Sequence, residues 1–186
     1  ADRIVAPPEH ATDYSEALVW LPHAYQPNDR QRAAAGTPTR ASLGLPTDAV
    51  VLAGFNAPWK FNAAVFDAWA RVLAAVPDAV LWLLARSADD PAIAHAHREF
   101  ASGGVAAARV IFAARRAEAD YLALYGHADL LLDTWPYNAH TTAADALWMQ
   151  CPVVTWLGDT FAGRVGASLV TAAGVPELAA ADVDGY

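Results

Sequence analysis

The stretch from Asp129 to Thr155, DLLLDTWPYNAHTTAADALWMQCPVVT, leaves the chain few choices of fold. Asp129 to Asp133 is an apolar run too short for a helix and bounded by turn residues, so it reads as a strand. Trp135-Pro136-Tyr137-Asn138 breaks the run. Thr141 to Trp148 is helix material with hydroxyls at its start. Cys151-Pro152 stops that helix, because proline has no N–H to donate, and Val153-Val154-Thr155 begins a second strand. Strand, loop, helix, strand is the unit of a parallel α/β sheet, and the loop after the first strand opens on the binding edge. The first turn of the helix there presents unpaired N–H groups and a partial positive charge. Here that turn carries His140, Thr141 and Thr142, which suits an anion, a phosphate above all. The same residues admit a second reading. In it Thr142 is the N-cap, Asp145 three residues on completes a variant capping box, and His140 is a loop residue.

The remaining chain repeats the unit. Ala49 to Phe55 is apolar throughout, as a strand buried on both faces requires. Asn62 suits an N-cap, with Phe61 and Phe66 at the two positions of a hydrophobic staple. The helix from Ala63 to Val76 lines up Val65, Phe66, Trp69, Val72, Leu73 and Val76, with Asp67 and Arg71 spaced for an ion pair on the other side. Ala79 to Leu84 is the second strand. Asp89-Asp90-Pro91 precedes a helix to about Ala101, which Gly103-Gly104 ends. Arg109 to Phe112 is the third strand, and a helix follows from about Ala117 to Gly126. After Val153 to Trp156, Gly158-Asp159-Thr160 opens a last helix to about Ala172. Alternation at this spacing predicts a doubly wound, Rossmann-like parallel sheet over residues 31–186. Residues 1–30 read as the end of a preceding domain and the start of a linker. Short strand-like runs are expected at Arg3 to Ala6 and Ala17 to Leu21, and a helical turn at Thr39 to Leu43.

Several function classes are disfavoured. A net charge of -8 over 186 residues argues against a nucleic-acid surface. No apolar run reaches membrane-spanning length. The single cysteine, Cys151, cannot form an internal disulfide, which fits a reducing cytoplasm, and it reads as a small buried apolar residue. The G-x-G-x-x-G fingerprint is absent, which counts against NAD. No metal site is expected: His95 and His97 point to nearly opposite sides of a helix. Asp182-Val183-Asp184 has the D-x-D pattern of metal-dependent glycosyltransferases but lies in a polar tail. There is no signal peptide and no initiator methionine, so the chain reads as a piece of something longer.

Lys60 is the only lysine; every other cationic side chain is arginine. It follows the first strand, on the predicted binding edge, where a flexible point charge suits a diphosphate. A solvated loop lysine is the alternative.

Asn138-Ala139-His140-Thr141-Thr142-Ala143-Ala144-Asp145-Ala146-Leu147-Trp148, then Pro152-Val153-Val154-Thr155 and Gly158-Asp159-Thr160-Phe161-Ala162-Gly163-Arg164-Val165, resembles the C-terminal catalytic half of the O-GlcNAc transferases, of the bacterial type. Phe55-Asn56-Ala57-Pro58-Trp59-Lys60, Val80 to Leu84, Tyr14-Ser15-Glu16 and Pro22-His23 extend the match over nearly the whole chain. The resemblance implies the C-terminal domain of a GT-B glycosyltransferase. Its donor would be UDP-GlcNAc, leaving UDP, and its acceptor a serine or threonine of a protein. No metal or other cofactor is implied. The family's N-terminal catalytic half and helical repeats, including its general base and acceptor groove, would lie upstream, and these residues alone would be inactive. Lys60 and His140 are the implied catalytic residues. Lys60, His140, Thr141 and Thr142 would hold the diphosphate, Asp145 the ribose hydroxyls, and Asn56 and Tyr121 would complete the substrate set. The chain departs from the family at three positions. Glu118 stands where lysine is common, Tyr121 where a histidine flanks the uracil, and Ala57 where a glutamine helps the phosphates. Arg115 or Arg116 is a candidate for the missing charge, and a generic helix-surface role for Glu118, Tyr121 and both arginines is the alternative. Another nucleotide-sugar transferase, or a binding module without catalysis, is the alternative.

Overall fold

The computed structural model describes residues 1–186. Six parallel strands form its centre: β1 (Val50–Gly54), β2 (Ala79–Ala85), β3 (Val110–Ala114), β4 (Leu130–Leu132), β5 (Val153–Trp156) and β6 (Ala179–Ala180). Their order is β3-β2-β1-β4-β5-β6, so the chain winds outward from β1 one way, then from β4 the other. β1 and β4 are the adjacent strands at which the order reverses, with Leu52 beside Leu130 and Ala53 beside Leu131. Their C-terminal ends diverge there and open a crevice.

Five helices cover the sheet: α1 (Ala63–Ala75), α2 (Pro91–Ser102), α3 (Glu118–Leu124), α4 (Thr141–Trp148) and α5 (Val165–Ala172). Asn62 caps α1, accepting from the Val65 N–H at 3.1 Å, and the Phe61 and Phe66 rings meet edge to face beside it. Asp90 caps α2 by accepting from the Ala92 N–H at 3.0 Å. One core of aromatic and branched side chains lies under α1 and α2, around Phe66, Trp69, Leu81 and Phe100. The other packs against α3, α4 and α5, around Phe55, Trp82, Tyr125, Leu131 and Val170. Burying the strands on both faces is what their uninterrupted apolar runs require.

Four local expectations need correction. Arg3 to Ala6 is a turn, because the Asp2 carboxylate accepts from the Ile4 and Val5 N–H groups and competes with any ladder. Ala17 to Leu21 is not a strand either; its backbone makes two hydrogen bonds with Ala1 and no ladder, and the Trp20 indole N–H donates to the Ala6 carbonyl at 2.7 Å. Arg71 pairs not with Asp67 but with Asp184, at 2.9 Å. The last helix starts at Val165, after a 3-10 turn at Phe161–Gly163 that Thr160 caps.

Residues 1–25 pack on the sheet domain. Val5 and Ala6 are buried, and Asp2 accepts from Ser168 of α5 at 2.7 Å and from the Tyr25 N–H at 2.9 Å.

Candidate functional site

Two loops meet at the crevice. The one after β1 runs through Phe55 and Asn56 into a 3-10 turn, Pro58–Lys60. The one after β4 runs from Asp133 to His140 and delivers α4. Asn138 pins the second loop: its side chain donates to the Thr134 carbonyl at 2.8 Å and accepts from the Gly166 N–H at 3.2 Å. Across the crevice, the Lys60 ammonium donates to the Asn138 carbonyl at 2.7 Å and lies 4.2 Å from the centre of the Tyr137 ring. Burial lowers the pKa of Lys60 to about 8, against the opposing pull of Asp133. Lys60 is thus half-buried and hydrogen-bonded rather than freely solvated.

His140 is the N-cap of α4 but caps nothing with its side chain. Its imidazole stacks on Tyr137, centroids 5.0 Å apart and planes 19° from parallel. Nδ1 lies 3.4 Å from the Tyr25 hydroxyl, and Nε2 is buried with no partner in the chain. Burial, then the Lys60 charge, lowers its pKa, so near neutral pH it offers a hydrogen bond rather than a charge. The N–H groups of Thr141, Thr142 and Ala143 bond to nothing in the chain; the first helical bond is from the Ala144 N–H to the His140 carbonyl. Thr142 is therefore inside the helix, and the capping-box reading fails.

Asp145 does not cap α4 either. Its buried carboxylate pairs with Arg32, from the polar segment between Gln26 and Thr39. The Arg32 carbonyl also accepts from the Trp148 indole N–H at 3.2 Å, and Ala35 donates to the Ala119 carbonyl of α3 at 2.9 Å. That segment is thus fastened to both α3 and α4. Burial raises the pKa of Asp145, and Arg32 opposes the rise. Arg32 went unnoticed in the sequence because nothing in a Pro- and Gly-punctuated polar run marks one arginine from the next.

A cavity of about 750 Å³ opens beside the crevice, at the C-terminal ends of β1, β2 and β3. Asn56, Ala57, Glu118, Tyr121 and Thr142 line it, together with Arg86, Arg115 and Arg116. Lys60, His140, Thr141 and Asp145 stand outside the cavity, around the N-terminus of α4. Asn56 is buried and donates to Asp133 at 3.3 Å, with its own carbonyl oxygen unpartnered. Tyr121 packs its ring 6.0 Å from Phe55 and shares a hydrogen bond with the Tyr125 hydroxyl. Burial pushes the Tyr121 pKa to about 12.

The residues weighed for a metal fall elsewhere. His95 faces Glu99 at 3.7 Å, and His97 packs on Phe112. Asp182 closes a turn on the Gly185 N–H, and Asp184 pairs with Arg71. No group of three or more His, Cys, Asp or Glu side chains is placed to hold a metal ion. No helix is long and apolar enough to cross a membrane. Cys151 is buried, as expected.

Residues 33–186 match the glycosyl transferase family 41. The chain is 34% identical, over 94% of its length, to a probable UDP-N-acetylglucosamine--peptide N-acetylglucosaminyltransferase, SEC, from Arabidopsis thaliana. It is 35% identical over 76% of its length to the UDP-N-acetylglucosamine--peptide N-acetylglucosaminyltransferase of Caenorhabditis elegans. It spans 18% and 12% of those two proteins. Among solved structures, a mutant form of the Thermobaculum terrenum O-GlcNAc transferase superposes on all of the chain with a TM-score of 0.84 at 34% identity, and 35% of that chain is covered.

Proposed function

The chain belongs to glycosyl transferase family 41, and from that premise we propose that it is the UDP-GlcNAc-binding half of an inverting GT-B enzyme that transfers GlcNAc to serine or threonine hydroxyls of proteins. The observation that carries this reading is the placement of Lys60. Its ammonium sits 2.7 Å from the Asn138 carbonyl, at the mouth of a helix whose first three N–H groups are free. One cation and one helix N-terminus face a single point at the reversal of strand order, which is a diphosphate site in form.

In the reaction the acceptor oxygen attacks the anomeric carbon, the bond to the β-phosphate oxygen breaks, and UDP departs. Negative charge grows on the β-phosphate as it leaves. Lys60, the imidazole of His140 and the N–H groups of Thr141 and Thr142 are the donors for that charge. The uracil enters the 750 Å³ cavity against Tyr121, near Asn56. Asp145 takes the ribose hydroxyls through the carboxylate oxygen that Arg32 leaves free. No metal takes part, since Lys60 and the α4 N-terminus supply the positive charge.

The general base, the acceptor groove and the helical repeats belong to the rest of a longer, cytoplasmic protein. The chain spans only a fifth or less of its curated relatives, which supports a longer protein and says nothing of where it resides. Calorimetric titration of the whole protein with UDP, UDP-GlcNAc, ADP and GDP tests the donor. UDP and UDP-GlcNAc are expected to bind at least about tenfold more tightly than ADP or GDP, a difference of roughly 1.4 kcal/mol. Equal binding of all four overturns the uridine assignment.

A further inference from the structure

We propose that Asp133 is the positioning residue of the leaving-group site: its carboxylate fixes the loop from Thr134 to His140 so that Lys60 and the first turn of α4 face one point. This rests on the donor site proposed above and adds to it a residue that touches no part of the donor.

Asp133 directly follows β4 and is only 3% exposed. The hydrogen bonds of its side chain go to the two loops of the crevice and to β5. Oδ1 accepts from the Thr134 N–H at 2.7 Å and the Ala139 N–H at 2.5 Å, the two ends of the loop. It also accepts from Asn56 across the crevice at 3.3 Å. Oδ2 accepts from the Thr155 hydroxyl on β5 at 2.7 Å. One side chain therefore ties the loops after β1 and β4 to the strand beyond. Fixing the Ala139 N–H orients the peptide unit whose carbonyl belongs to Asn138, and that carbonyl is the acceptor for Lys60. The next residue is His140, which starts α4.

The local packing has room for this arrangement and little else. A Cβ at Gly166 of α5 would fall 2.5 Å from Asp133 Oδ2, and closer still to the Thr155 hydroxyl. Glycine there lets α5 lie against the carboxylate. Burial holds the Asp133 pKa up at about 6, in spite of the Thr155 hydroxyl, the two N–H donors and the Lys60 charge. A carboxylate this costly to bury needs all of its donors. Hydrophobic packing alone would have accepted an apolar residue at the end of an apolar strand.

Positioning and plain structural support differ in what they couple to. The Asp133→Asn amide oxygen can still accept from Thr134 and Ala139, while its NH2 donates to the Thr155 oxygen. It keeps the loop and removes the charge. Asp133→Ala removes both. In the whole protein, measure kcat, KM and UDP affinity for wild type, Lys60→Ala, Asp133→Asn, Asp133→Ala and Asp133→Ala/Lys60→Ala, with near-UV circular dichroism for folding. Asp133→Asn is expected within about tenfold of wild type in kcat. Asp133→Ala is expected to lose about 10²-fold in kcat with a smaller change in KM, comparable to losing a transition-state donor. In the Lys60→Ala background the same change should cost less than about threefold, because the two act as one unit. Full multiplication of the two losses, or an Asp133→Ala enzyme that is folded and fully active, overturns the proposal. So does an Asp133→Asn enzyme as impaired as Lys60→Ala, a result that stands even if Asp133→Ala fails to fold. Absence of UDP binding by wild type overturns the donor reading instead, so the two failures are told apart.

Discussion

The ammonium of Lys60, on the turn after β1, donates to the carbonyl of Asn138, on the loop after β4, across 2.7 Å. The contact bridges the line where the strand order reverses, and it holds a cation over Tyr137 instead of leaving it to solvent. Charge placed in advance needs no reorganisation as the leaving group ionises. Lys60→Ala is therefore expected to lower kcat by roughly 10²–10³ while UDP affinity falls less. Lys60→Arg should recover only part, because a planar fork cannot replace a point donor in the same gap. Steady-state kinetics on the whole protein, with circular dichroism as the folding control, makes the comparison. A folded Lys60→Ala enzyme within about twofold of wild type would remove Lys60 from the site.

The same lysine sets a pH limit. Its pKa is lowered to about 8, so the cation is present below that pH and is lost as pH rises through it. Log kcat/KM, which follows the free enzyme, should bend downward near pH 8. Bound diphosphate restores the charge, so kcat should hold to higher pH. In Lys60→Arg the bend near pH 8 should vanish, since guanidinium stays protonated.

Asp145 and Arg32 form a partly buried pair whose loss has two readouts. Arg32→Ala leaves a buried carboxylate without its partner and should reduce stability by about 1–3 kcal/mol, less than a fully buried pair because some solvent reaches it. Urea denaturation measures that. Asp145→Ala should erase the preference for UDP over 2′-deoxy-UDP, expected in wild type at roughly tenfold or more for a hydrogen bond to a charged group. Equal preference in both proteins would take Asp145 off the ribose.

Donor binding should be indifferent to chelation. Lys60 and the α4 N-terminus supply the positive charge, and the D-x-D aspartates are committed to a turn and to Arg71. UDP affinity is expected to change by less than about twofold with EDTA, and a tenfold fall would require a metal.

The strands were legible because burial on both faces favours apolar side chains over several residues in a row. Val50–Gly54 and Ala79–Ala85 therefore stand out as apolar runs. Asn62 and Phe61 announced α1 for a comparably local reason. What failed to show was decided by distant partners. Asp145 sits three residues after Thr142, at the spacing of a capping box, yet its partner Arg32 is 113 residues away. Arg3 to Ala6 has a strand's composition, but the carboxylate of Asp2, one residue earlier, folds it into a turn. The positions of Lys60 and His140 on the binding edge could be read from the chain. The hydrogen bond of Lys60 to the Asn138 carbonyl could not, since it needs the register of β1 against β4.

A single lysine with a lowered pKa also makes the chain chemically addressable. Near pH 8 about half of the Lys60 side chains are free amines, whereas an ordinary lysine is almost wholly protonated and inert. No other side chain in the sequence carries a primary amine. Within these 186 residues an acylating reagent used at that pH meets only Lys60 and the α-amino group of Ala1, and mass spectrometry of the peptides tells the two labels apart. The rate at which Lys60 is modified becomes a meter of access to the crevice: any molecule that settles between the two loops slows it, whether or not a sugar is ever transferred.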